Sequence, residues 1–502
     1  MCCALSSSSI RVDCCVLLRA ARFFFVAAAG LLLCLGTAWA QPAAADAPDS
    51  VASSALPAPV EAALARAQLP RETLAVWVAD AQDRRQPPRL AYRAQAPMNP
   101  ASVMKLVTTY AALDLLGPSF TWQTPVYADG AVQGGTLHGN LYLRGQGDPK
   151  LVAERLWLLL KRVQAQGIQR IAGDIVLDRT AFELPAQDPA DFDNEPLRPY
   201  NAAPDALLLN YQAVAMSFIP DEAAGVARIA YDLPLAGVQR QTQVPLAPAG
   251  APCGDWRAGL RAELADAQRT LFRGSYPAAC GERVWPVAAA DPQNFAAQAI
   301  AGLWRELGGK LDGSVRDGRV PAGLQPMFSA SSPTLAEVVR DVNKFSNNVM
   351  AQQVFLTLAL QKNGVATPEG ARAVVRQWWQ ERLPDTALPQ PDNGAGLSRS
   401  ARISAQALGR MLQSAWRAPV MPELAASLPI LGVDGTLRRN QASAAGRPHL
   451  KTGSLRDVVA IAGYVDAPSG RRWVLVALVN HPNAAAARPA LERLVEWVHA
   501  EP

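Results

Sequence analysis

Asn99-Pro100-Ala101-Ser102-Val103-Met104-Lys105 sets a hydroxyl and an amine three residues apart where a helix is expected to begin. Residues i and i+3 share a helix face, so the two side chains can meet. Asn99 suits the N-cap and Pro100 the first helical position, and the apolar run Leu106, Val107, Tyr110, Leu113, Leu116 stops at Gly117-Pro118. Ser102 then lies near the positive end of a buried helix, which favours the negative charge that develops in acyl transfer. A serine hydroxyl is a weak nucleophile without a base, and a desolvated lysine can be that base. Of the 48 basic residues only seven are lysine and 41 are arginine, which stays protonated, so a lysine at position 105 carries weight. Ser-x-x-Lys alone recurs by chance, usually as solvated helix surface.

The remainder of the chain supplies an address. Arg19 and Arg22 precede the apolar run 23–35, and Ala38-Trp39-Ala40 follows, so residues 1–40 read as a signal peptide with an Ala-x-Ala cleavage site. The stretch before Arg19 is long for such a segment, and an uncleaved run would serve as an anchor. Five of the seven cysteines (Cys2, Cys3, Cys14, Cys15, Cys34) fall within it. The exported chain keeps Cys253 and Cys280, which in an oxidising compartment suggest one disulfide; two unpaired thiols are the alternative. Two cysteines make half a zinc set and the four histidines show no ligand spacing, so neither a metal nor another cofactor is implied. The formal charge is +5, of which residues 1–40 carry +2, leaving +3. That is too mild for a nucleic-acid partner.

Residues 41–59, rich in Ala, Pro and Ser, read as a flexible lead-in. Residues 74–79 and 90–93 form an expected hairpin, and 60–118 a first catalytic part that includes the Ser102 helix. Short β segments at 122–127 and 137–143, a helix at 151–166 and a strand at 171–177 suggest an α/β unit. Alternating strands at 213–219 and 227–233 suggest a second, β-rich module. Residues 119–290 are therefore expected to be an insertion, and 291–502 the second catalytic part. Two late strands, 458–465 and 473–479, can pair with the early hairpin, building one antiparallel sheet from both ends of the chain. The fold class is α/β.

Three motifs stand in order: Ser102-x-x-Lys105, Ser346-x-Asn348 and Lys451-Thr452-Gly453. Together they resemble the active-site set of penicillin-binding proteins and serine β-lactamases. The long gap between Ser102 and Ser346 resembles the type 4, class C low-molecular-mass group, the D-alanyl-D-alanine carboxypeptidase/endopeptidases, in which extra domains are inserted there. Gly145-Gln146-Gly147-Asp148-Pro149, Cys253-Gly254-Asp255-Trp256-Arg257 with Cys280-Gly281-Glu282, Gly396-Leu397-Ser398-Arg399 and Gly432-Val433-Asp434-Gly435-Thr436-Leu437 agree with it. The resemblance implies a β-lactamase/transpeptidase-like catalytic domain, an antiparallel sheet flanked by helices, interrupted by smaller α/β and β-rich modules. It implies a periplasmic enzyme acting on peptidoglycan stem peptides and acylated by β-lactams, with loose membrane association at most and homo-oligomerisation left open. The expected catalytic residues are Ser102, Lys105, Ser346, Asn348 and Lys451. Thr452, Gly453 and Ser454 would bind the terminal carboxylate, and the N–H groups of Ser102 and Ser454 the oxyanion. In the insertion the family carries an acidic and an aromatic residue for the diamino-acid side chain; the local pattern puts Glu195 and Tyr200 there, with Glu where Asp is expected.

Two other readings compete. A class A β-lactamase adds a glutamate for the deacylating water, yet Glu369, Glu381 and Glu423 sit in no Glu-x-x-Leu-Asn segment. A non-catalytic wall-binding protein of the same fold would not need all three motifs intact.

Overall fold

The computed structural model describes residues 55–440 and 444–501; the expected signal peptide and residues 41–54 of the expected lead-in lie outside the described residues. A first helix, Ala58–Arg66, begins inside the last residues of that lead-in.

Both ends of the chain build one five-stranded antiparallel sheet, in the spatial order Leu90–Tyr92, Leu74–Asp80, Arg472–Asn480, Val458–Asp466, Pro448–Leu455. The Lys451-Thr452-Gly453 motif lies in Pro448–Leu455, an edge strand of the sheet. Every residue of Leu74–Asp80 is buried because both faces are covered, and side chains alternate between them. Ala75, Trp77 and Ala79 enter a large core with the Ser102 helix and helix Ala405–Trp416. Val76 and Val78 enter a second core with helices Ala58–Arg66 and Arg488–Ala500.

The inserted part leaves after Gly117 as strand Thr121–Ala128 and returns as strand Phe328–Thr334, paired antiparallel from Phe328 opposite Val126 to Thr334 opposite Thr121. Leu335 and Ala336 then donate their N–H groups to the carbonyls of Phe120 and Pro118. Departure and return are thus zipped together, so helix Leu335–Phe345 starts beside the end of helix Lys105–Leu116. This is how Ser346 comes near Ser102 across a long insertion.

The expected end of the insertion at residue 290 does not fit these pairings. Helix Phe295–Glu306 shares a core with Leu156, Leu159 and Leu160, and strands Val315–Asp317 and Phe328–Thr334 complete the sheet of Thr121–Ala128, Leu141–Arg144 and Ile175–Asp178. We propose 119–334 as the inserted part. Within it a smaller module joins strands Gln243–Pro245, Val226–Tyr231, Ala213–Asp221 and Arg283–Ala288 around Phe218, Phe272 and Tyr276. Cys253 and Cys280 are bonded there, their Cα atoms 4.7 Å apart.

Candidate active site

The turn that carries Ser102 differs from the expected helix start. Asn99 does not cap an α-helix. Its Oδ1 accepts from the Ala101 N–H at 2.9 Å, and its Nδ2 donates to the Ser398 carbonyl at 2.8 Å. The Asn480 side chain clamps the Asn99 backbone from both sides, accepting its N–H at 2.8 Å and donating to its carbonyl at 2.9 Å. Ala101 is left-handed, with φ of 48°, and a 3-10 turn spans Ala101–Met104 before the α-helix begins at Lys105. In a 3-10 turn residues i and i+3 eclipse. Lys105 Nζ accordingly lies 2.9 Å from Ser102 Oγ.

The Lys105 amine is fully buried. Nζ also donates to Asn348 Oδ1 at 2.6 Å and to the Ala395 carbonyl at 2.7 Å. Burial, reinforced by the positive Lys451, holds its pKa well below the ordinary lysine value. A neutral amine has two N–H groups and one lone pair. Two carbonyl acceptors and the Ser102 hydroxyl thus surround the amine.

The Ala395 carbonyl went unnoticed in the sequence because a backbone group has no residue-type signature. Asn393 shapes the loop that presents it: its Oδ1 accepts from the N–H groups of Ala395 at 3.0 Å and Gly396 at 3.2 Å. Gly396 is required, since a Cβ there would lie 1.9 Å from the Ala101 carbonyl oxygen at a φ of +74°.

Ser346 terminates helix Leu335–Phe345 in a left-handed conformation, φ 58°. Asn347 then caps the next helix, accepting from the Met350 N–H at 3.0 Å, and Asn348 is its first residue. The tight junction turns Ser346 and Asn348 toward the two lysines. Lys451 Nζ donates to Ser346 Oγ at 2.9 Å and to the Thr452 carbonyl at 2.6 Å, and burial lowers its pKa to about 7. Thr452 Oγ1 is 2.8 Å from Thr436 Oγ1, and Ser454 is exposed on the same strand. Gly453 lets the strand pass close to the Ser102 turn, since a Cβ there would lie 2.6 Å from the Pro100 carbonyl oxygen and 3.2 Å from Ser102 N. Lys344 secures the neighbouring loop by donating to Asp434 Oδ2 and to the Leu428 carbonyl, both at 2.6 Å.

Tyr200 joins this group through its backbone: its carbonyl accepts from Asn348 Nδ2 at 3.0 Å. The Tyr200 hydroxyl donates to Asp193 Oδ2 at 2.8 Å, and that contact, after burial, raises its pKa to about 12. Glu195 faces Arg198 at 3.2 Å, both side chains about half exposed. Among the described residues no His/Cys/Asp/Glu cluster could hold a metal ion, and no helix is long and apolar enough to cross a membrane.

The pattern of the D-Ala-D-Ala carboxypeptidase 3 (S13) family matches residues 56–501. A D-alanyl-D-alanine carboxypeptidase of Actinomadura sp. is 27% identical over 418 residues, covering 79% of this chain and 77% of that protein. The crystal structure of penicillin binding protein 4 (dacB) from Haemophilus influenzae superposes with a TM-score of 0.70 at 23% identity, covering 88% of this chain and 99% of that one. The same protein complexed with a β-lactam gives 0.67 at 23% identity and the same coverage. The likeness of fold and the span of the family pattern, which takes in both halves of the sheet and the long insertion, lead to one assignment: the chain belongs to the D-Ala-D-Ala carboxypeptidase 3 (S13) family.

Proposed function

We propose that this serine D-Ala-D-Ala carboxypeptidase works through an acyl-enzyme on Ser102 and also cleaves D,D cross-links between stem peptides. The observation that carries the mechanism is the buried Lys105 amine 2.9 Å from Ser102 Oγ, its other two contacts both carbonyl oxygens. Lys105 takes the hydroxyl proton as Oγ attacks the carbonyl of the penultimate D-Ala. The oxyanion forms against the N–H groups of Ser102 and Ser454. The proton that Lys105 took is returned to the leaving D-Ala amine by way of Ser346, whose Oγ is 2.9 Å from Lys451 Nζ, and Asn348 holds the peptide amide. The hydroxyls of Thr452 and Ser454 bind the terminal carboxylate beside Gly453, and water then releases the acyl group. A β-lactam enters by the same attack and stays. Glu195 and Tyr200, on a loop that reaches Asn348, face the cationic end of the diamino acid. The compartment is the periplasm, in keeping with a cell-wall substrate.

The test is incubation of the protein with muropeptide monomers and dimers, read by mass spectrometry. Loss of one D-Ala from monomers and conversion of dimers to monomers is the expected result. Penicillin should add one covalent equivalent to the wild type and none to Ser102→Ala. Wild-type labelling of Ser102→Ala would overturn the assignment of the nucleophile.

A further inference from the structure

The loop that ends at Asn201 belongs to the inserted part, yet its last turn touches the catalytic helix through the Tyr200 carbonyl and Asn348 Nδ2. That contact decides which way the Asn348 amide faces. With Nδ2 held by a carbonyl, Oδ1 is turned to Lys105 Nζ, and the second N–H of Nδ2 is left for a ligand carbonyl. If the amide turned over, it would present donors to the amine. Lys105 would then lose one of the two acceptors that leave its lone pair on Ser102.

A backbone carbonyl is placed by whatever fixes its loop, and here that is one carboxylate. Asp193 Oδ2 accepts from the Tyr200 hydroxyl at 2.8 Å, while Oδ1 accepts from Asn201 Nδ2 at 2.7 Å and from the Glu195 N–H at 3.2 Å. Asn201 is buried, and its Nδ2 donates a second bond to the Glu195 carbonyl at 3.0 Å. Asp193 therefore fastens residue 200 and its neighbour at once. Phe192, next in the chain, lies against the Arg399 guanidinium at 4.5 Å, anchoring the loop on its other side. Charge-assisted hydrogen bonds of this kind are the stronger class.

We propose that Asp193 is a positioning residue for the acylation step. Its carboxylate holds Tyr200 and Asn201 so that the Tyr200 carbonyl orients the Asn348 amide, and through it the Lys105 amine. The inference rests on the assignment of Ser102 as nucleophile and Lys105 as base. It gives the insertion a part in the chemistry beyond substrate recognition, carried by an acid that touches no reacting atom.

The experiment is a double-mutant cycle on the full chain with penicillin, measuring the acylation rate constant at saturation separately from the dissociation constant of the initial complex. Asp193→Ala should slow acylation roughly 10-fold with little change in the dissociation constant, and Asp193→Asn, which keeps an acceptor, should recover most of the rate. Combined with Asn348→Ala, Asp193→Ala should cost nothing further, because the group it acts through is gone. A structural effect spread over the site would instead slow both backgrounds equally, and that additivity overturns the proposal, as does a wild-type rate in Asp193→Ala. Should Asp193→Ala fail to fold, the same cycle run with Tyr200→Phe, which removes the hydroxyl that Asp193 Oδ2 holds, decides by the same non-additivity. Absence of acylation at Ser102 in the wild type would overturn the assignment of the nucleophile and this inference with it; normal wild-type acylation with an unaffected Asp193 variant overturns this inference alone.

Discussion

At the scale of single residues the site is a problem of two buried amines. Lys105 and Lys451 are both fully buried, and neither has a carboxylate among its hydrogen-bond partners: Ser102, Asn348 and Ala395 for the first, Ser346 and Thr452 for the second. Desolvation therefore pushes both pKa values down, Lys451 to about 7. The sign for stability follows from proton counting. Between about pH 7 and the ordinary lysine value near 10.4, the unfolded chain binds a proton at residue 451 that the folded chain does not. Stability from this residue thus rises with pH across that window, by at most about 1.4 kcal/mol per unit, and is flat below it. The unfolding free energy of the wild type relative to Lys451→Met should grow by on the order of 2 kcal/mol from pH 7.5 to 9.5 in urea titrations. Parallel pH dependences would mean that Lys451 keeps an ordinary pKa. Lys105→Arg keeps the charge but supplies no base, so penicillin acylation should fall about 10²–10⁴-fold, measured by the rate of covalent adduct formation. A wild-type rate would remove Lys105 as the base. These side chains, which the structure brings together, stand out in the sequence because the proposed nucleophile, base and donor are written in residue type, and because lysine is rare in an arginine-rich chain. The carbonyls of Ala395 and Tyr200 do not, since any residue can supply one.

At the scale of elements, the chemistry depends on three irregular pieces of backbone meeting: the 3-10 turn Ala101–Met104, the left-handed Ser346 between two helices, and the edge strand Pro448–Leu455. Hydrophobic periodicity foresaw the helices and the sheet, because their apolar faces repeat. It could not foresee that Ser102 would sit on a 3-10 turn, a choice set by the tertiary clamp of Asn480 and Ser398 on Asn99. At Gly453 the strand passes close against the turn, so Gly453→Ala tests the arrangement directly. Its methyl would press on the Pro100 carbonyl and the Ser102 backbone, and strand or turn must move by several tenths of an ångström. Overpacking of this kind costs about 1–3 kcal/mol of stability. Acylation should fall by more than about 10-fold, because the proposed nucleophile and the strand proposed to bind the carboxylate are displaced relative to each other. An unchanged acylation rate with a lowered Tm would show that the strand gives way without disturbing the turn.

At the scale of the molecule, the insertion is joined to the catalytic half by the antiparallel stem of Thr121–Ala128 and Phe328–Thr334, so its size has little effect on the distance between Ser102 and Ser346. The motif spacing suggests an insertion but carries no sign of where it ends, because the strand proposed to close it, Phe328–Thr334, pairs with Thr121–Ala128 far earlier in the chain and leaves no local mark. The disulfide was legible from the cysteine count together with the expected export. It joins Cys253 to Cys280, a separation of 27 residues, inside the small module whose core is Phe218, Phe272 and Tyr276. That module backs the Asp193 loop through Leu197, whose side chain packs against the module's core and whose carbonyl accepts from the Ala288 N–H at 3.0 Å. Closing a loop of this length is worth on the order of 3 kcal/mol, acting chiefly on the unfolded chain. Reduction should therefore lower the melting transition of the module while the folded geometry persists. Below that transition, reduced and oxidised protein should acylate with penicillin at rates within about twofold, since a contribution of the unfolded state leaves native contacts unchanged. If acylation instead collapses on reduction at a temperature where the module is still folded by circular dichroism, the disulfide holds the Leu197 contact in place and acts on the site through the loop rather than on stability.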